Sequence, residues 1–155
     1  MRFKGKAAAL TVLFTLAAML LTGCSVMQKI GMAGFYSGFP AGFTAKDEHF
    51  DPEGFQDFTD YCKYYYPDAS GFEKDSSFVS VADEGVNRVK GFFKNFREWM
   101  ETSGRLDEYD FDDSIITPDD LVRIELKEHL SIYDDYDVYF FDRGTNTLYY
   151  IHNNI

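Results

Sequence analysis

The chain has 155 residues, 15 Lys and Arg against 26 Asp and Glu, and a formal charge of −11. Such an acidic balance argues against a nucleic-acid partner, because phosphate backbones are repelled. Aromatic residues make up 18% of the chain and reach its C-terminus, which excludes a disordered acidic tail and leaves room for one packed domain.

The N-terminal segment opens with Arg2, Lys4 and Lys6, followed by an apolar or near-apolar run from Ala7 to Leu21 and no acidic residue before Asp47. This is the layout of an export signal. At about 1.5 Å per residue the run spans roughly 22 Å as a helix, shorter than the roughly 30 Å hydrocarbon core of a bilayer.

Leu20 to Cys24 reads LLTGC, which resembles the lipobox of bacterial lipoproteins. The resemblance covers residues 1 to 24 and implies that Cys24 is alkylated with diacylglycerol and becomes the mature N-terminus. It also implies an extracytoplasmic place in the cell envelope, on the outer surface or, since Ser25 is not aspartate, the outer membrane. Two acyl chains anchor stably where one holds marginally. The three basic residues fall in the first 23 positions, so the remainder carries 12 basic against 26 acidic side chains, a charge of −14.

The sequence thus divides into a signal helix at 1–23, a Gly-rich tether at 24–45 and a single α+β domain at 46–155. The tether holds Gly31, Gly34, Gly38, Gly42 and Pro40. Its apolar residues, from Met27 to Phe43, suit contact with a membrane or with the domain. With Cys24 lipidated, Cys62 is the only remaining thiol and forms no internal disulfide.

Asp51 and Pro52 form a helix start, and Phe55, Phe58, Cys62 and Tyr65 fall at helical spacing as far as Pro67. This places Cys62 on an apolar stripe as an inert buried thiol. A longer helix is predicted from about Ala82 to Thr102, with Val86, Val89, Phe93, Phe96 and Met100 facing inward and Gly104 as its cap. Its Arg88, Lys90, Lys94 and Arg97 read as a solvated face balancing an acidic body.

Thr117 and Pro118 resemble a helix start, but LVRIELK alternates and predicts a strand. DVYFFDRGTNTLYYI predicts a hairpin with strands near Asp137 to Phe141 and Thr147 to His152. The closing text VYFFDRGTNTLYYIHNNI resembles the ends of small uncharacterised bacterial proteins, which brings no activity. The expected architecture is two main helices on a small antiparallel sheet ending in that hairpin.

The acidic loop Asp107, Glu108, Asp110, Asp112 and Asp113 has alternate carboxylates, as calcium sites do. Begun at Asp110, however, an EF-hand loop needs Gly and Glu where Ile115 and Leu121 stand. No metal or other cofactor is expected. His49, His129 and His152 show no zinc spacing, and no nucleophile or phosphate motif appears. Tyr139, Tyr149 and Tyr150 on the hairpin suit a contact strip for an envelope protein or glycan, provided they are exposed. The competing arrangement makes the hairpin a central pair covered on both faces. A lipid-anchored interaction module therefore leads over a small envelope enzyme, whose candidate residues are Asp110, Asp112, His129 and His152.

Overall fold

The computed structural model describes residues 38–50, 58–127 and 135–154. Cys24, the signal segment, most of the tether, Asp51, Pro52, Phe55, His129 and Tyr133 lie outside the described residues. A compact unit runs from Pro40 to Ile155, so it begins inside the segment expected as tether.

Its frame is a six-stranded antiparallel sheet. In chain order come β1 (Ala45–His49), β2 (Phe58–Tyr65), helix α1 (Ser70–Lys74), β3 (Val79–Ser80), helices α2 (Val81–Glu84) and α3 (Val86–Thr102), two 3₁₀ turns (Leu106–Glu108 and Asp113–Ile115), β4 (Leu121–Leu126), β5 (Asp135–Asp142) and β6 (Thr147–Asn154). The spatial order is β1-β2-β6-β5-β4-β3. The C-terminal strand is therefore seated between β2 and β5, at the middle of the sheet.

The segment expected as the first helix is a strand over its described part. In β2 both faces are buried: Tyr61 points into the main core, while Cys62 and Tyr64 lie on the other face. Burial on both sides erases the alternation that marks a half-exposed strand, leaving an accidental helical spacing in a run rich in β-favouring Phe, Thr and Tyr.

The long helix is present but divided. Ser80 caps α2, its hydroxyl accepting from the Asp83 amide at 3.1 Å. At Gly85 the backbone takes a φ of 97°, a value that suits glycine and breaks the run into α2 and α3. Gly104 closes α3 with φ 73°, and the Arg105 amide donates back to the Met100 carbonyl at 2.8 Å. This is the left-handed glycine stop expected at a helix C-terminus.

Val89, Phe92, Phe93, Phe96 and Met100 of α3 pack with Tyr61, Val122, Tyr136, Val138, Phe140 and Ile151 of the sheet, and with Tyr109, Phe111 and Ile116 from the 3₁₀ region. The opposite face carries a smaller aromatic group. There Phe72 of α1 stacks on Phe141 at 4.0 Å and meets Tyr66 and Phe78 edge-on. Among the described residues no helix is long and apolar enough to cross a membrane.

Candidate functional site

The predicted hairpin sits at the centre of the sheet, and its turn sets what faces what. Asp142 accepts from the Gly144 amide at 2.7 Å and the Thr145 hydroxyl at 2.6 Å, an Asx-type turn. Asn146 adopts φ 53°, in the left-handed region that asparagine tolerates. Asp142 therefore pairs with Thr147, and counting back puts Tyr139 opposite Tyr150 and Asp137 opposite His152.

Alternation then sends Asp137, Tyr139, Tyr150 and His152 to the face away from α3. Two rows cross this face. Cys62, Tyr150, Tyr139 and Arg123 align through β2, β6, β5 and β4, and beside them run Asp60, His152, Asp137 and Glu125. The Tyr139 and Tyr150 rings lie 4.8 Å apart, and the Arg123 guanidinium sits 3.9 Å over Tyr139. Arg123 also pairs with Glu125 at 3.2 Å.

Asp137 is the polar hub. One carboxylate oxygen takes the Tyr150 hydroxyl at 2.6 Å and lies 2.7 Å from Nδ1 of His152. Burial pushes its carboxyl up, yet the hydrogen bond and charge of His152 and the Tyr150 hydroxyl outweigh that and hold it below the usual range. Burial pushes the Tyr139 phenol up to about 12. The Cys62 thiol is also pushed upward by burial, and further by Glu48 and Asp60. It is buried and unoxidised, a protonated group with little nucleophilic character.

The three nominated tyrosines do not share a surface. Tyr139 is 5% and Tyr150 1% exposed on the far face, while Tyr149 is half-buried on the α3 side with its ring 4.9 Å from Phe111. The geometry is that of a central pair covered on both faces.

The acidic loop is engaged piece by piece. Asp110 accepts from the Tyr61 hydroxyl and from Lys63, both at 2.7 Å, and Lys63 also reaches Asp47 at 3.1 Å. Burial raises the Asp110 carboxyl, but the Lys63 and Tyr61 bonds bring it below its ordinary value. Asp112 caps a 3₁₀ turn through the Ser114 amide at 2.9 Å. Asp120, buried, gathers the Thr117 amide and hydroxyl at 2.8 Å and the Arg143 amide at 3.0 Å, tying the start of β4 to the hairpin tip.

The enzyme candidates thus separate: Asp110 bonds Tyr61 on the α3 face, whereas His152 bonds Asp137 on the other. His49, opposite Tyr61 in the β1–β2 pair, lies 3.2 Å from Asp47. Among the described residues no three His, Cys, Asp or Glu side chains are grouped to hold a metal. The Asp137–His152–Tyr150 unit was not singled out from sequence, although the register implied by the Asp142 turn points to it. Set against protein-family models, curated proteins and solved structures, the chain matches none of them.

Proposed function

We propose that this chain is a lipid-anchored extracytoplasmic interaction module of the bacterial cell envelope, held to the membrane through Cys24 and binding an envelope protein or glycan. The observation that carries the reading is LLTGC, placed after a basic start and an apolar run too short to span a bilayer. An acidic domain with net charge −14 beyond the anchor suits a protein or glycan partner better than an anionic one. The test is metabolic labelling with a fatty-acid analogue in cells expressing the wild type and Cys24→Ala. Label in the wild type and none in the variant, with the variant left uncut, supports the anchor; equal labelling removes it.

One observation favours an enzyme instead. A carboxylate on Nδ1 of an imidazole fixes the ring and its tautomer, as acid–base catalysis requires. His152 is 5% exposed, however, and a substrate would have to reach it. The interaction module therefore stands as the main reading.

A further inference from the structure

Five large apolar side chains are exposed among the described residues: Phe43, Tyr65, Val79, Trp99 and Leu126. Two of them share one pole of the domain, where the chain enters from the anchor side. Entry is pinned there. The Tyr66 hydroxyl donates to the Pro40 carbonyl at 2.7 Å, and Pro40 packs so closely on Gly71 that a Cβ there would lie 2.9 Å from its ring. Four residues on, the Thr44 amide donates to the Tyr65 carbonyl at 2.7 Å, which fixes Phe43 beside the end of β2. Phe43 leans on Tyr64 at 5.1 Å on one side of the sheet and is 39% exposed; Tyr65, on the other side, is 37% exposed.

We propose that this pole, with Phe43 and Tyr65 foremost, rests on the surface of the membrane that holds Cys24. The inference rests on the lipid-anchor reading. Pro40 lies 16 residues after Cys24, and a chain of that length reaches at most about 55 Å, so the pole stays within that distance of the anchor. Phe and Tyr are suited to the boundary where one end is apolar and the other wet. The acidic body offers no attraction to anionic headgroups, so apolar contact with a zwitterionic surface supplies the binding.

The single tryptophan provides an internal control. Met100, next to Trp99, has its sulfur 3.8 Å from the Thr59 hydroxyl, near the start of β2. Thr59 is six residues from Tyr65, about 20 Å along a strand. The experiment reconstitutes the full lipidated chain in phosphatidylcholine vesicles with brominated or unbrominated acyl chains. It compares the wild type with Trp99→Phe chains carrying Phe43→Trp or Tyr65→Trp, two independent probes at exposed positions. The expected result is loss of emission by both new probes in brominated vesicles, with Trp99 of the wild type unaffected. Unquenched probes on a chain that carries the fatty-acid label overturn the membrane contact and leave the anchor standing. Equal quenching of all three also overturns it, since no pole would then be preferred. Absence of the label refutes the anchor reading, and the membrane contact falls with it.

Discussion

Asp137→Asn tests whether the polar hub stabilises the fold as a charged group. The substitution keeps the side chain's shape but replaces an ionised acceptor, on which Tyr150 and His152 converge at 2.6 and 2.7 Å, with a neutral amide. Hydrogen bonds to a charged group contribute about 1.5–3 kcal/mol each. Because the amide oxygen still accepts one bond, about 3 kcal/mol is expected near neutral pH. Tyr150→Phe, which removes one bond and leaves the carboxylate, should cost about 1.5–3 kcal/mol. Urea unfolding of the three proteins from pH 7 downward measures both effects. The Asp137 carboxyl is held below its usual range in the fold, so its contribution is complete above the unfolded value near pH 4 and is lost as pH falls through the folded value. The gap between wild type and Asp137→Asn should therefore close toward acid. A gap that stays constant to pH 2, or no gap at pH 7, would refute the assignment of Asp137 as an ionised hub.

Two further substitutions test the helix. Phe96 is fully buried with its ring 5.5 Å from Tyr109, so Phe96→Ala should cost about 3–5 kcal/mol in a thermal or urea melt, and an unchanged midpoint would mean that this side of α3 is not the core side. At Gly91, in the middle of α3, an added Cβ meets nothing within 4 Å. Gly91→Ala should raise stability by about 0.5–1 kcal/mol, and a loss would show that the helix surface there is not open.

The elements that sequence placed best are those with one buried face. In α3 the stripe from Val89 to Met100 faces the sheet as its period requires, and β4 is the strand its alternation predicts, although burial falls along it from Leu121 and Val122 to an exposed Leu126. Local conformational signals were equally readable: Gly104 stops α3 at positive φ. Where burial is two-sided the period disappears, and in β2 the spacing of Phe58, Cys62 and Tyr65 imitates that of a helix. β1 and the two-residue β3 offered too little pattern to announce a strand at all.

The hairpin shows how narrowly a site can be missed. Its strands were expected to end at Phe141 and resume at Thr147, which leaves five residues between them. In the structure Asp142 remains in the strand and pairs with Thr147, because its carboxylate is needed inside the turn by Gly144 and Thr145. A shift of one residue in register changes every cross-strand partner. Tyr139 would have faced Tyr149 in the longer loop; it faces Tyr150, and with that pairing Asp137 comes beside His152. What no local pattern carried is the insertion of β6 between β5 and β2. Only that long-range seating puts Asp60 and Cys62 in register with His152 and Tyr150, so the candidate site is half turn chemistry, readable from DRGTNT, and half topology, fixed by burying the two-faced strands β5 and β6 at the centre of the sheet.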